Sequence, residues 1–164
     1  MIPLRELANP NDAGVRLYWS FATQAGVAAQ FTHVQLRHAT KALLVEAIYA
    51  QAIGIADLVD IFTTAIALPA GVAGTARNRD FRVAATGAVT ESATNVAKQT
   101  DGVASFAPVP VPLGNALTPL LSPEGHVNAA VRGPLVLTTT TGIVVIPQAV
   151  ANGITVYFAY RELQ

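Results

Sequence analysis

The chain has 164 residues, about one domain's worth, and a domain of that size buries about 68–70% of its unfolded surface without staples. Hydrophobic residues make up 52% of it and charged residues 12%, about half the usual charged share, which excludes a disordered or acidic solvating chain. Ten Lys/Arg balance ten Asp/Glu, so no overall field exists to hold nucleic acid or an anionic membrane, and little charge opposes self-association.

Residues 1–30 show no steady period. The start, Met1 to Pro10, lacks the apolar core of a signal peptide, and Asn9-Pro10-Asn11-Asp12-Ala13-Gly14 is a turn signal. Val15, Leu17, Trp19 and Phe21 then share one face of a segment that also carries Tyr18. Two readings stand: an extended arm that attaches to a partner, or the first strand of the domain. An aromatic cluster of this kind suits an interface anchor, so Val15, Leu17, Tyr18, Trp19 and Phe21 are candidate interface residues.

From Phe31 the strand period is clear. Val34, Leu36 and His38 alternate with His33, Gln35 and Arg37, and Ala39-Thr40-Lys41 makes a turn. Leu43 to Tyr49 is apolar on both faces except at Glu46, as in a strand inside a sandwich. Residues 56–68 fit helical spacing through Leu58, Ile61, Phe62, Ala65 and Leu68. They also fit a strand through Val59, Ile61 and Thr63, and the strand is preferred because its neighbours are strands. Residues 70–105 read as loop with a short strand near Phe81-Arg82-Val83. Pro108-Val109-Pro110-Val111-Pro112 must be extended and restricted to an edge or a strap, because proline gives no ladder N–H. Residues 135–146 alternate through Leu135, Leu137, Thr139 and Thr141, with a bend at Gly142. Asn152-Gly153 signals a turn, and Ile154, Val156, Phe158 and Tyr160 give the best strand of the chain. The expectation is an all-β protein, an antiparallel β-sandwich of jelly-roll type with an extended N-terminal segment: residues 1–30 as arm or first strand, residues 31–164 as the sandwich.

Motifs of chemistry are missing. The absence of cysteine removes disulfides, thiolate metal sites and Cys nucleophiles, and no phosphate-loop, dinucleotide, nucleophile-elbow or zinc-helix pattern occurs. His33 and His38, five apart, fall on opposite faces of a strand and cannot both grip one metal; His126 joins them only through folding. A strand likewise separates Asp57 from Asp60. The one dense charge cluster, Arg77-Asn78-Arg79-Asp80-Phe81-Arg82, makes Arg77, Arg79 and Arg82 candidate interface residues able to hold carboxylates in guanidinium forks, against the plainer reading of local ion pairs on an edge. No cofactor or metal is expected.

Several segments together carry a resemblance. Val34-Gln35-Leu36-Arg37 turns into Leu43-Leu44-Val45-Glu46-Ala47. Gly74-Thr75-Ala76-Arg77-Asn78-Arg79-Asp80 follows the next strand. A Gly-Pro-Leu precedes Gly142-Ile143-Val144-Val145-Ile146-Pro147, and Asn152-Gly153 leads to Tyr160-Arg161-Glu162. Over residues 31–164 this resembles small structural proteins of tailed bacteriophages, of the jelly-roll capsid decoration or head-fibre type. The resemblance implies a non-enzymatic virion protein on the capsid surface, a homotrimer whose partners are itself and the major capsid or another virion protein. It supplies no functional residue. A carbohydrate-binding or adhesion module, with Tyr157 or Trp19 as an aromatic platform, is the alternative. An enzyme on a cupin-like jelly roll would need His and carboxylates converging inside the barrel.

Overall fold

A computed structural model describes residues 17–68, 71–78, 86–99, 105–113, 117–122, 131–132 and 134–163. Val15, Arg79, Arg82, His126 and the strand expected near Phe81 lie outside the described residues. Thirteen strands and no helix occur among them: β1 (Tyr18–Gln24), β2 (Phe31–His38), β3 (Leu43–Ala52), β4 (Asp57–Thr64), β5 (Val72–Ala73), β6 (Thr75–Asn78), β7 (Ala88–Asn95), β8 (Ser105–Val111), β9 (Thr118–Ser122), β10 (Val131–Arg132), β11 (Leu135–Leu137), β12 (Gly142–Pro147) and β13 (Ile154–Glu162).

Two sheets face each other. Sheet A runs β10-β9-β3-β13-β1-β6, with β11 also on β3; sheet B runs β5-β7-β2-β12-β4-β8. Pairing is antiparallel throughout except between the short β9 and β10. The inner eight strands, β1-β13-β3-β9 over β2-β12-β4-β8, have the order of a jelly roll, two Greek keys wound together. The stretch between β4 and β8 adds β5 and β7 beside β2, and β6 beside β1.

The core lies between the sheets and follows the period of two. Val34 and Leu36, Val45, Ile48 and Ala50, Val59 and Ile61, Val109 and Val111, Ile143 and Val145, and Ile154, Val156 and Phe158 all point inward. Residues 56–68 contain the strand preferred above, with Val59 and Ile61 buried. The prolines of β8 sit on an edge strand as required, and Pro108 and Pro110 stay exposed while Val109 and Val111 enter the core. Because Pro108 and Pro110 have no N–H, β8 offers a poor template to another strand.

Two expectations need correction. Residues 88–95 are not loop: β7 pairs with the whole of β2. Its inward positions include Thr90 and Ser92, and Thr90 Oγ1 donates to Ser20 Oγ of β1 at 2.6 Å, so hydrogen bonding replaces the apolar alternation that marks a strand. The alternation from Leu135 to Thr141 is not all strand: β11 ends at Leu137, and the bend expected at Gly142 falls before it. β11 pairs in sheet A and β12 in sheet B, and a Thr138–Thr141 turn between them closes with Thr138 N–H donating to Thr141 Oγ1 at 2.9 Å. Of the two readings for the N-terminal segment, Tyr18–Gln24 takes the form of a strand, β1, hydrogen-bonded between β13 and β6. It occupies the first-strand position, and the chain from Leu17 onward is not a free arm.

Sheet B is buried on both faces. Val144 and Ile146 of β12, Ala93 of β7 and Leu68 form a second apolar cluster on its outer side, joined by Phe31 and Phe62. Two of the chain's own loops cover it. Gln35, fully buried, donates to the Ile66 carbonyl at 2.8 Å and accepts from Leu68 N–H at 3.2 Å; His33 accepts from Gln99 N–H at 3.2 Å. Sheet A has no such cover among the described residues.

Between β5 and β6 the chain crosses from one sheet to the other at Gly74, whose N–H donates to the Thr90 carbonyl at 2.7 Å. A Cβ there would run into the Phe21 carbonyl oxygen and the Ala22 side chain, both of β1. Gly74→Ala is expected to destabilise by about 1–3 kcal/mol, the usual cost of overpacking, measurable by urea denaturation. A truncation that removes residues 1–22 takes most of β1 from the middle of sheet A, and is expected to yield insoluble protein in a solubility assay.

Candidate interaction surface on sheet A

The outward positions of sheet A are aromatic. Register places Phe21 of β1 opposite Tyr157 of β13, Tyr157 opposite Tyr49 of β3, and Tyr49 opposite Pro119 of β9. One row across four strands therefore reads Phe-Tyr-Tyr-Pro. Trp19 lies one repeat along, opposite Ala159, which is itself opposite Ala47. These two alanines leave room for the Trp19 ring to stack on Tyr49 at 6.5 Å between centroids, while Phe21 stacks on Tyr157 at 5.3 Å. Trp19 is exposed and Phe21, Tyr49 and Tyr157 are half-buried.

Polar groups frame the rings. Thr23 and Thr155 share a hydrogen bond at 2.9 Å at one end. At the other, Arg161 Nε donates to Glu46 Oε1 at 2.6 Å, where Glu46 is the extra residue of a bulge opposite Ala159 and Tyr160. Arg77 on β6 stands in register with Trp19.

Of the expected interface residues, the strand thus brings Trp19 and Phe21 to one outward face. Leu17 precedes β1 and is half-buried. Tyr18 points the other way: it is buried in the subunit's own core, stacked on Tyr160 at 5.7 Å, because the period of two sends neighbours to opposite faces. Tyr49, and the adjacency of Tyr157 to it, escaped the sequence reading. Their separation by 108 positions is closed only by the β3–β13 pairing.

The remaining candidates for chemistry hold loops in place. His33 has Nδ1 within 3.0 Å of the Phe31 carbonyl and Nε2 engaged by Gln99 N–H. Burial, opposed by the Phe31 carbonyl and aided by the nearby Lys98 ammonium, lowers its pKa below 6.5. His38 lies on the opposite face of β2, as the spacing requires. Its Nδ1 accepts from Thr40 N–H and Lys41 N–H, both at 3.0 Å, capping the turn. Asp57 accepts from Ala149 N–H and Asn152 Nδ2; Asp60 pairs with Lys98 Nζ at 2.9 Å and accepts from Gln148 Nε2. No group of three His, Cys, Asp or Glu able to hold a metal occurs among the described residues.

A further carboxylate was not anticipated. Glu162, at the end of β13, is largely buried and accepts from Thr86 Oγ1 at 2.6 Å, Gly87 N–H at 2.7 Å and Lys41 Nζ at 2.9 Å, with His38 Nε2 3.4 Å away. Burial alone would raise its pKa. The hydrogen bonds from Thr86, Lys41 and Gly87 outweigh that and hold it at about 2. Tyr160 donates to Thr86 Oγ1 at 3.3 Å, and burial pushes its phenol up to about 12 against the hydrogen bonds to Thr86 and Ser20.

No known protein family, curated protein or solved structure matches the chain. No helix among the described residues is long and apolar enough to cross a membrane.

Two outcomes follow from these groups. Glu162 has a folded pKa of about 2 against 4.5 for an ordinary glutamate. Between those values the unfolded chain takes up a proton that the folded chain refuses. Its stabilisation is therefore complete above about pH 4.5 and vanishes as pH falls towards 2. His33, lowered from 6.5, adds a loss of the same sign that begins as pH falls through 6.5. Melting temperatures measured from pH 7 to pH 2 should fall in both ranges, and Glu162→Gln should flatten the lower one while lowering stability at neutral pH. On the surface, Trp19→Ala and Tyr157→Ala should leave the fold intact by circular dichroism and cost less than the about 3–5 kcal/mol expected for a fully buried aromatic such as Phe158→Ala.

Proposed function

We propose that this is a non-enzymatic virion structural protein, a capsid decoration or head-fibre protein that assembles as a symmetric oligomer on a phage shell. One observation carries the reading. The described side chains with chemical potential are spent inside the subunit, while the surface left over is aromatic and aliphatic. Glu46, Asp57, Asp60, Glu91 and Glu162 are each hydrogen-bonded or ion-paired within the chain, and His33 and His38 pin loops. The outer face of sheet A, without cover among the described residues, instead presents Trp19, Phe21, Tyr49 and Tyr157. Large aromatic contact area with little charge is the composition of an interface core rather than of a solvated surface. The neutral chain and the jelly-roll topology support the same reading, as does the resemblance to phage decoration and head-fibre proteins.

The aromatic face also favours a second reading, a carbohydrate-binding or adhesion module. A row of rings flanked by Thr23, Thr155, Gln51 and the Arg161–Glu46 pair combines apolar platforms with hydrogen-bonding groups, the mixture that holds a sugar.

Capsid binding separates the two. Purified protein is expected to co-sediment with empty capsids of its own phage, and Trp19→Ala with Tyr157→Ala should weaken that binding at least tenfold. A protein that ignores capsids but binds a glycan array, with binding abolished by Tyr157→Ala, establishes the second reading instead.

A further inference from the structure

The two ends of the sandwich differ in kind. Jelly-roll winding gathers the β1–β2, β3–β4, β8–β9 and β12–β13 connections at one end. Their described residues, 25–30, 53–56, 112–113, 117 and 148–153, contain no Asp, Glu, Lys or Arg. They expose Val27, Ile53, Ile55, Leu113, Leu117 and Val150, each at 42–57%. Among the described residues, six of thirteen exposed large hydrophobics thus sit on four connections at one end, and Leu58 and Val96 flank them. The opposite end holds Lys41, Arg37 and the buried Glu162 carboxylate.

This apolar crown is a built platform. Asn152, only 2% exposed, ties its own connection to the β3–β4 connection and to β2 and β4. Its Oδ1 accepts from Ile55 N–H, its Nδ2 donates to the Ile55 carbonyl and to Asp57, and its own carbonyl accepts from Thr32 Oγ1 at 2.7 Å. Ala151 N–H donates to the Gln30 carbonyl, Ile53 N–H to the Gly153 carbonyl, and Leu113 bridges to Ala52. Strain gathers here too: Ala29 and Ala151, both at φ 59°, are the non-glycine residues with left-handed backbone among the described residues, and such backbone clusters where function requires it.

We infer that this crown is an interface between copies of the chain, covered by the crown of a second copy. Its six aliphatic side chains expose on the order of 500 Å² of apolar surface, the scale of the largest patches on monomers, about 300–600 Å². That is more than half of the about 800 Å² per partner that a stable interface buries, and the small residues between them extend it. An anionic occupant, whether nucleic acid or lipid headgroup, would be desolvated against connections that carry no Lys or Arg and adjoin the Asp57 carboxylate. A second crown is equally uncharged, and a two-fold contact makes one patch its own complement. Zero net charge removes the repulsion between copies, and loops already pinned by Asn152 lose little freedom on contact. The sheet edges offer less: β8 is blocked by its prolines, β5 and β10 are two residues long, and β6 is four.

The chain lacks cysteine, which makes the test direct. Single-cysteine variants Ile55→Cys and Val150→Cys are expected to form disulfide-linked dimers on mild oxidation at micromolar concentration, while Val136→Cys, equally exposed but at the other end, stays at least tenfold less cross-linked. In parallel, Ile53→Glu with Ile55→Glu should return the mass to 17.1 kDa by light scattering with the melting curve of a folded protein. Equal cross-linking at Val136, a wild-type chain that is monomeric at tens of micromolar, or a charged crown that still assembles would each overturn the inference, as would a monomer that sediments with neutral phosphatidylcholine vesicles through this end. None of these measurements involves capsids or glycans, so their outcome is separable from the proposed function.

Discussion

The last two strands, β12 and β13, are central strands of the two sheets, and everything else depends on their insertion. β13 lies between β1 and β3, and β12 between β2 and β4. Until residues 142–162 arrive, β1 has no partner toward β3, and β2 none toward β4. The ladder that completes sheet A spans up to 142 positions, from Tyr18 to Tyr160. Such long-range closure costs chain entropy before it returns any contact, which places the fold among the slower topologies. The side chains at the joint reflect the need. Ile154, Val156, Phe158 and Tyr160 are all fully buried, as are Ile143, Val144, Val145 and Ile146.

Both ends of β13 are then locked by polar groups rather than by more hydrocarbon. Asn152 fastens the entry to the β3–β4 connection, and Glu162 fastens the exit to the β2–β3 turn and to Thr86-Gly87. Buried polar groups of this kind are costly when unsatisfied and specific when satisfied. They fix register where a strand of alternating apolar residues would tolerate slippage. The same economy explains the site chemistry. His33, Gln35, His38, Asp57 and Asp60 each hold a loop, so few reactive groups face solvent and the outward surface is left to rings and aliphatic side chains.

The two sheets use their outer faces differently. Sheet B covers its own with residues 65–68 and 96–99, held by Gln35 and His33. Sheet A keeps Trp19, Phe21, Tyr49 and Tyr157 outward. The aromatic face and the aliphatic crown lie on different sides of one rigid body, so the molecule has two separate surfaces of low charge. An assembly that contacts its own copies through one and a larger partner through the other needs no rearrangement of the subunit.

The sequence alone determined the class of fold, because strand alternation is local: Val34 to His38 and Ile154 to Tyr160 announce their faces in consecutive residues. It also determined the edge position of the proline-rich β8, since a missing N–H excludes a central place whatever the fold. Its preference for a strand at 56–68 rested on neighbours and agrees with β4. What it could not hold was anything written in pairings across the chain. β7 was illegible because its inward Thr90 and Ser92 are polar, with Thr90 meeting Ser20, 70 positions away, instead of showing apolar alternation. The aromatic row needed the registers of β1, β13, β3 and β9 together. Asn152 read as a turn residue, yet the left-handed position is Ala151 and the Asn side chain is a buried hub. The uncharged crown comes from four segments scattered over 129 positions, from 25 to 153; only the winding of the jelly roll decides that they share an end.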